Sequence, residues 1–453
     1  MTGPAAPILL ENAWIAPVVG PEIQSGWLSV AQGRITGIAP GPAPRITGAH
    51  RIDATGCLIT PGLVNTHHHL YQWATQGLFQ DATLFEWLTG LYRLWARMDA
   101  EVVYGAASAG LSWLALTGCT TSSDHHYVFP AGRGDLFDAE VRAAAEVGLR
   151  FHPCRGSMDR GVSAGGLPPD EVVEDRDTIL AATTETILRY HDPAFDSMLR
   201  VAVAPCSPFS VTEELMLESA ALARSAGVRL HTHLAETLDE EKHCLEQFGR
   251  TPVEYLDDLG WLGPDVWFAH AVHLHDKDIR RFAETGTGTA HCPGSNGRLG
   301  AGIARVTELL AAGAPVGLGV DGSASSELSS MAGEMRQALL FQRAVHGPQA
   351  ISARQVLELA TLGGARNLGR HFEIGSLEVG KLADVAVWRM DGFRSAVVDP
   401  VWALVFGPTP PLARLLVGGA TVVSDGELRT MPQDAVARAG RIAHARLAGS
   451  ESR

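Results

Sequence analysis

Apolar and polar positions follow two patterns along the chain. Residues 8–60 alternate between apolar and polar side chains over short stretches separated by glycine-containing turns, as in WLSVAQGRITGIAPG, and this period of two predicts β-strands. The same texture returns near the C-terminus in GKLADVAVW and RLLVGGATVVSDGEL. Between these two ends, apolar runs of five to seven residues alternate with longer helical stretches, which predicts a series of βα units.

The central region contains eight candidate strands, each followed by a loop and most by a helical stretch. In the helix before the second strand, Asp99 is a plausible N-cap and Gly118 ends the helical spacing. Eight βα units predict an α/β fold of the (β/α)8 TIM-like barrel type. A doubly wound open sheet competes with it, but such a sheet usually has a glycine-rich nucleotide turn after its first strand, which this sequence lacks. The candidate strands are GLVNTHHH, CTTSSDHH, LRFHPCR, RVAVAPC, VRLHTHL, VWFAHAV, GTAHCP and VGLGVD.

Both chain ends are expected to build one small β domain beside the barrel. A chain of 453 residues exceeds the usual size of one hydrophobic core. We predict a composite β-sandwich whose N-terminal part is residues 1–61 and whose C-terminal part, with a terminal helix, is residues 374–453. Residues 62–373 then form the barrel.

Composition narrows the classes of partner and compartment. Hydrophobic residues make up 46% and charged residues 19% of the chain, as in a well-buried globular enzyme. The net charge of −14 and the lack of a Lys/Arg cluster argue against a nucleic acid chain or a membrane as partner. The opening MTGPAAPILL has no signal-peptide pattern, so we expect a cytoplasmic protein. The six cysteines form no C-x-x-C pair, which favours buried reduced thiols.

The first candidate strand ends in the motif NTHHHLYQ. Side chains alternate across a strand, so His67 and His69 share one face while His68 points to the other side. The H-x-H pair is therefore a possible two-point metal clamp. Taken alone it is weak evidence, because neighbouring histidines also occur on surfaces and as hydrogen-bonded core residues.

The motif HTHLAE adds a second candidate. His233 ends the fifth strand and Glu236 follows where the strand becomes a loop. A catalytic zinc needs nitrogen or oxygen ligands together with a nearby base that is not itself a ligand, and Glu236 fits that second role. A strand-end histidine with a helix-capping glutamate is the structural alternative. His231 has the same parity as His233, so spacing does not choose between them.

The motif VGLGVDGSAS supplies the third. Asp321 closes an apolar strand, where an aspartate can complete a metal site and accept a hydrogen bond from a bound water. In isolation, Asp-Gly is simply a good turn. The combination of the three motifs favours a metal site over the separate structural readings.

PGLVNTHHH, HTHLAE, FAHAVHL and LGVDGSAS occur in this order, on the expected first, fifth, sixth and eighth strands. In this the chain resembles the metal-dependent amidohydrolase superfamily, nearly end to end. IGSLEVGKLADVAVW, at residues 374–388, is similar to the split small domain of that superfamily. LFEWLTGLYRLWARM, GCTTSSDHHYVFP and APCSPFSV are similar to the aminohydrolase branch, which deaminates purines, pterins and triazines.

The resemblance implies ligands and proton carriers. It selects His233 over His231, and because VAVAPCSP offers no lysine on strand four, it implies one zinc per subunit rather than two. His125 and His291 also end strands. Each could line the pocket or form a structural hydrogen bond. Ser326 stands where relatives often have asparagine. The implied roles are metal binding by His67, His69, His233 and Asp321, catalysis by Glu236, His270 and Asp321, and substrate binding by Gln72, Trp87, Arg155 and Cys206.

Each substrate contact also has a structural alternative: a polar loop residue for Gln72, core packing for Trp87, a strand-end ion pair for Arg155 and a buried filler for Cys206. The implied reaction replaces the exocyclic amino group of a purine-like base by oxygen and releases ammonia, with 8-oxoguanine, converted to urate, as the expected substrate. Isoxanthopterin, guanine, isocytosine and a triazine that loses chloride or an amine are the alternatives. A non-catalytic scaffold is disfavoured by the intact ligand motifs. A small heterocyclic base is the expected partner, and a homodimer is possible by family analogy.

Overall fold

The computed structural model describes residues 6–391 and 397–449. Within these ranges no helix is both long and apolar enough to cross a membrane. The strands, in chain order, are β1 (Ile8–Ile15), β2 (Ile23–Ala31), β3 (Arg34–Pro40), β4 (His50–Asp53), β5 (Cys57–Pro61), β6 (Leu63–Asn65), β7 (His68–His69), β8 (Cys119–His126), β9 (Arg150–Ser157), β10 (Ala202–Pro205), β11 (Arg229–Leu234), β12 (Val266–His270), β13 (Gly288–His291), β14 (Val316–Leu318), β15 (Asp321–Gly322), β16 (Val385–Arg389), β17 (Leu412–Val417), β18 (Ala420–Ser424) and β19 (Glu427–Leu428).

Helices separate most of the central strands. Short 3-10 turns also occur at Leu70–Thr75, Val162–Ala164 and Asp170–Val172, and a π-helical turn at Leu359–Gly363. The α-helices are α1 (Leu84–Trp95), α2 (Ala100–Leu116), α3 (Leu136–Val147), α4 (Arg176–Tyr190), α5 (Glu213–Ala226), α6 (Leu238–Phe248), α7 (Pro252–Asp258), α8 (Asp276–Thr285), α9 (Pro293–Arg298), α10 (Val306–Ala312), α11 (Met331–His346), α12 (Ala353–Glu358), α13 (Gly364–Asn367), α14 (Pro400–Phe406) and α15 (Gln433–Leu447).

Eight parallel strands, β6 and β8–β14, form the barrel sheet, and they lie next to one another in chain order. This confirms the predicted barrel. The predicted ends of α2 are also found: the Asp99 carboxylate accepts a hydrogen bond from Val102 N at 3.0 Å, and Gly118 has a φ of 95°. A side chain at that position would also collide with Trp388, which lies 2.1 Å from an ideal Cβ.

The first and last predicted strands are each interrupted, and the interruptions close the barrel. β6 and β7 are separated by Thr66 and His67, whereas β14 and β15 are separated by Gly319 and Val320. Thr66 N donates to the Leu318 carbonyl at 3.0 Å, and β7 pairs in parallel with β15. Two of the metal-ligand candidates, His69 and Asp321, therefore lie on a short ladder of their own, just beyond the barrel sheet.

The side chain of Asn65 bridges this closure. Its Nδ2 donates to Ser122 Oγ at 3.0 Å and its Oδ1 accepts from Val320 N at 3.0 Å. The buried carboxamide of Asn65, in the first barrel strand, is thus hydrogen-bonded both to the second strand, β8, and to the segment that follows the last strand, β14. Because buried polar groups are costly when unpaired, this arrangement fixes how the eighth strand approaches the first.

The chain ends form the small domain. Its nine strands make one continuous sheet in the order β19-β18-β17-β16-β5-β1-β2-β3, with β4 paired to β1. The antiparallel pair β5 and β16, with Leu58 opposite Trp388, joins the N-terminal strands to the C-terminal ones. This confirms the predicted composite domain, while its predicted limits at residues 61 and 374 stay a prediction.

A buried ion pair connects the barrel to this sheet. Arg150, at the start of β9, donates from Nε and Nη2 to the two carboxylate oxygens of Asp384, both at 3.0 Å. Both side chains are almost completely buried. Asp384 also accepts a hydrogen bond from Gly418 N at 2.7 Å, between β17 and β18.

We expect Arg150→Ala to lower the free energy of unfolding by about 3–5 kcal/mol, because it leaves the Asp384 charge buried and unpaired. Urea unfolding followed by circular dichroism measures the change. Arg142→Ala is the control, since Arg142 pairs with Asp138 at the surface, where ion pairs stabilise little. Equal losses in the two variants would contradict the assignment.

Candidate active site

Four polar side chains converge where the barrel strands end. His67 follows β6, His69 ends β7, His233 lies near the end of β11, and Asp321 begins β15. Nε2 of His69 lies 3.1 Å from Nε2 of His233. Asp321 Oδ1 lies 3.3 Å from Nε2 of both His67 and His69. All four side chains are buried.

Backbone carbonyls fix the protonation of two of these rings. Nδ1 of His69 donates to the His125 carbonyl at 2.7 Å, and Nδ1 of His233 donates to the Cys206 carbonyl at 2.6 Å. A carbonyl can only accept, so each ring carries its proton on Nδ1. Burial lowers the pKa of His69 to about 4 and that of His233 well below its usual value. Both rings are therefore neutral at pH 7, and each presents a lone pair at Nε2.

The third ring is fixed through His231. Nδ1 of His231 donates to the Trp267 carbonyl at 2.8 Å, so Nε2 of the same ring is an acceptor. That nitrogen accepts from Nδ1 of His67 at 2.8 Å. Nε2 of His67 consequently has a lone pair, and it has no hydrogen-bond partner among the described residues. His231 thus supports His67 from below, and His233 is the ring that faces the cluster.

These donors fit a metal ion. Nε2 of His69 lies 3.1 Å from Nε2 of His233, and Oδ1 of Asp321 lies 3.3 Å from Nε2 of both His67 and His69, with no proton available between the atoms of these pairs. Such groups repel one another unless a cation lies among them. Imidazole nitrogens and carboxylate oxygens are also ligand types that zinc commonly takes in proteins.

The backbone around the cluster is strained. Four non-glycine residues here adopt the left-handed region: Ala235 has a φ of 51°, His270 of 72°, Ala271 of 47° and Asp321 of 60°. Such conformations cost about 1–3 kcal/mol each and persist only where the surroundings enforce them. Here they turn strand ends so that Glu236, His270 and Asp321 point into one cavity.

Glu236 and His270 form a second pair beside the cluster. Oε2 of Glu236 lies 3.6 Å from Nε2 of His270, whose Nδ1 donates to Asn296 Oδ1 at 2.9 Å. Burial raises the pKa of Glu236 to about 7, against the opposing effect of His270. A carboxyl group with a pKa near neutrality can both take up and release a proton. Oδ2 of Asp321 accepts from Ser325 Oγ at 3.0 Å.

A small cavity opens directly onto these groups. Its apolar wall comes largely from α1 and from loops beyond the barrel. Gln72, Trp87 and Cys206, three of the predicted substrate contacts, lie on its surface. Its lining residues are His69, Gln72, Leu84, Trp87, Leu88, Tyr127, Cys206, Phe209, His233, Glu236, His270, Leu299, Asp321 and Ser325.

The amidohydrolase family model matches residues 58–427, a range that contains every side chain of the cavity. The chain belongs to the amidohydrolase family. This amidohydrolase is 46% identical over 430 residues to the 8-oxoguanine deaminase of Pseudomonas aeruginosa, which covers 94% of this chain and 96% of that one. It is 39% identical over 420 residues to an isoxanthopterin deaminase from an unknown prokaryotic organism, covering 86% of this chain and 85% of that one.

A solved structure supports the same relationship. The crystal structure of an atrazine chlorohydrolase from Arthrobacter aurescens TC1 complexed with zinc has a TM-score of 0.91 to this chain and is 32% identical to it. The match covers 96% of this chain and 100% of the other. The predicted superfamily is thereby confirmed.

Three predicted contacts in this amidohydrolase differ in what their polar atoms do. Nε1 of Trp87 donates to the Ala324 carbonyl at 3.2 Å, which fixes the ring in the cavity wall. Oε1 of Gln72 is buried and has no hydrogen-bond partner among the described residues. Burial raises the pKa of Cys206 to about 12, so its thiol is neutral.

Arg155 is not in the cavity lining. It donates to Glu174 at 2.9 and 3.0 Å, and its guanidinium lies 3.7 Å from the centroid of the Phe129 ring. The neighbouring Cys154 packs inside the barrel with Trp267, so strand alternation turns Arg155 to the other side. The structure thus places Arg155 in an ion pair.

The remaining strand-end residues have support positions. Nε2 of His125 donates to the Ala204 carbonyl at 2.8 Å, and its ring stacks on His233 at 4.8 Å. His291 is buried outside the cavity lining and makes no side-chain hydrogen bond to the described residues. Ser326 donates to Glu334 Oε1 at 3.1 Å.

Sequence reasoning missed part of the cavity. Ser325 lay inside the quoted strand-eight motif and could have been noticed there. All of the others except Leu299 also lay inside motifs quoted for the resemblance, but apolar and aromatic side chains carry no chemical pattern that marks them as cavity lining. The missed lining residues are Leu84, Leu88, Tyr127, Phe209, Leu299 and Ser325.

Proposed function

We propose that this amidohydrolase removes the exocyclic amino group of a purine-like base by hydrolysis, with 8-oxoguanine as its preferred substrate. In that reaction 8-oxoguanine and water give urate and ammonia. The observation that carries the proposal is the position of the Glu236–His270 pair, which lies between a metal-ligand cluster and a small enclosed cavity. The similarity to a deaminase of 8-oxoguanine over most of both chains supports the choice of substrate.

We assign one zinc ion to Nε2 of His67, His69 and His233 and to Asp321. The lone pairs at these nitrogens and the carboxylate fit it, and zinc is present in the related chlorohydrolase. Bound zinc supplies Lewis acidity, which can lower the pKa of a water ligand from 15.7 to about 7. Strand four, β10, ends in Ala204 and Pro205 and is followed by Cys206, so it provides no lysine for a second ion.

Three side chains would handle the protons. Glu236 would accept a proton from the attacking water and deliver it to the ring nitrogen next to the reacting carbon. His270, fixed by Asn296, would polarise the reacting centre. Asp321 would orient the water, take the second proton of that water from the hydroxyl group newly bonded to the ring carbon, and pass it to the amino group as the C–N bond breaks and the carbonyl forms. Ammonia then departs as a neutral molecule.

The cavity would hold the base by its flat faces and one polar edge. Leu88 and Phe209 provide apolar surface. The unpartnered Oε1 of Gln72 would accept a hydrogen bond from an N–H of the base. Guanine, isoxanthopterin and isocytosine share the amino-amidine edge with 8-oxoguanine, so they are the nearest competitors, followed by a triazine that loses chloride or an amine.

The test is ammonia release from the zinc-loaded enzyme with 8-oxoguanine, guanine, isoxanthopterin, isocytosine and a chlorotriazine in parallel. The highest kcat/KM is expected for 8-oxoguanine. A clear preference for another base would support deamination but overturn the assignment of 8-oxoguanine as the preferred substrate. Chloride release from the triazine without ammonia release from any base would overturn the deaminase assignment.

A further inference from the structure

Both oxygens of one buried carboxylate hold the backbone that carries Glu236. Oε1 of Glu240 accepts a hydrogen bond from Ala235 N at 2.8 Å, and Oε2 accepts one from Glu236 N at 2.9 Å. Glu240 lies in the first turn of α6 and is completely buried. It does not line the substrate cavity.

This contact is not ordinary helix capping. Thr237 is the N-cap of α6, which makes Glu240 the third helical residue. In α7, the glutamate at the same position, Glu254, reaches back to the amide of its own N-cap Thr251, as expected of a capping box. Glu240 instead reaches past its N-cap to the two amides before it. Its carboxylate therefore accepts hydrogen bonds from the turn between β11 and α6 and not from the N-cap of α6.

The turn needs such support. Ala235 has a φ of 51°, a conformation that is unfavourable for a residue with a side chain. Its carbonyl is held from the other side, because Val272 N and His273 N both donate to it at 2.9 Å. Glu240 holds the amide side of the same turn. Both the N–H and the C=O of the peptide group between Ala235 and Glu236 are therefore held by hydrogen bonds, and this fixes the direction of the Glu236 side chain.

We propose that Glu240 is a positioning residue for the deamination reaction, since its carboxylate fixes the Ala235–Glu236 turn and thereby aims Glu236 at the substrate. This rests on the role of Glu236 in the proposed function. A displacement of about 1 Å of a catalytic group can cost about 10²-fold in rate. Loss of the Glu240 contacts moves the proton carrier without removing it.

Glu240→Gln tests the proposal. The carboxamide keeps one acceptor but presents an N–H to the second amide, so one hydrogen bond is lost and two donors face each other. We expect kcat to fall about 10²-fold, with KM and zinc content unchanged. If Glu240 acts only in folding, the variant should have a lower melting temperature and yield but an unchanged kcat per zinc-loaded subunit. That result would overturn the proposal.

Two variants with the same substitution are the controls. Glu254→Gln removes an ordinary capping carboxylate from the same helical position of α7. Glu241→Gln removes the neighbouring charge of α6, whose side chain lies 3.4 Å from Nε2 of His275. Both are expected to keep the wild-type kcat. A kcat for Glu240→Gln equal to theirs would overturn the assignment.

Amide hydrogen exchange, measured by mass spectrometry on peptides that span residues 233–240, tests the Glu240 contacts without measuring enzyme activity. The amides of Ala235 and Glu236 should exchange slowly in the wild type and at least tenfold faster in Glu240→Gln. Fast exchange in the wild type would overturn the proposal even if the variant did not fold. A wild-type enzyme that releases no ammonia from any base would count against the proposed function alone.

Discussion

Glu236→Gln is expected to lower kcat by about 10²- to 10⁴-fold, the usual range for loss of a positioned proton carrier. The carboxamide has nearly the same shape but cannot take up a proton. Because Glu236 is not one of the four converging ligand groups, zinc should remain bound. The measurement is ammonia release per mole of zinc, with metal content determined by mass spectrometry.

An exposed glutamate gives the control for this variant. Glu246 lies on α6 with its side chain 63% exposed, and Glu246→Gln should keep the wild-type kcat. Near-normal turnover of zinc-loaded Glu236→Gln would refute the assigned role.

His233→Ala is expected to abolish both zinc binding and turnover. It removes one of the three nitrogens whose lone pairs converge, so zinc would lose one of its four protein ligands and the ring on which the arrangement of the others depends. Purified protein should contain far less than one zinc per chain, and added zinc should not restore activity at concentrations that saturate the wild type.

His231→Ala distinguishes a ligand from its support. Nε2 of His231 accepts a hydrogen bond from Nδ1 of His67. Loss of such a supporting partner typically weakens metal affinity by 10- to 100-fold without abolishing it. Excess zinc should therefore restore much of its turnover. Full zinc occupancy in His233→Ala, with none in His231→Ala, would exchange the roles of the two histidines.

The barrel could be predicted from sequence because eight apolar runs alternate with helical stretches. The interruptions after Asn65 and after Leu318 could not, since they depend on hydrogen bonds between the first strand, the second and the last. These contacts join residues between 57 and 255 positions apart, and no local pattern encodes them.

The site shows the same division between local and distant information. Strand parity puts His67 and His69 on one face, but it treats His231 and His233 alike. They differ in depth along the barrel, by one pleat. Only contacts with residues that follow the first strand, which is not adjacent to β11 in the sheet, distinguish them: His231 contacts His67, and His233 contacts His69. The substrate role of Arg155 came from the resemblance rather than from parity and stays a prediction; its ion pair with Glu174, outside the cavity lining, has no local sequence signal.

The composite small sheet has a consequence for synthesis on the ribosome. β5 forms its antiparallel pair with β16, whose residues emerge about 330 positions later. At about 5–20 residues per second, strands β1–β5 wait on the order of 20 to 60 s with one edge unpaired. An unpaired edge can recruit strands from other chains. Nascent chains that stall before residue 385 should therefore need a chaperone, and truncation at the C-terminus should harm the N-terminal strands first.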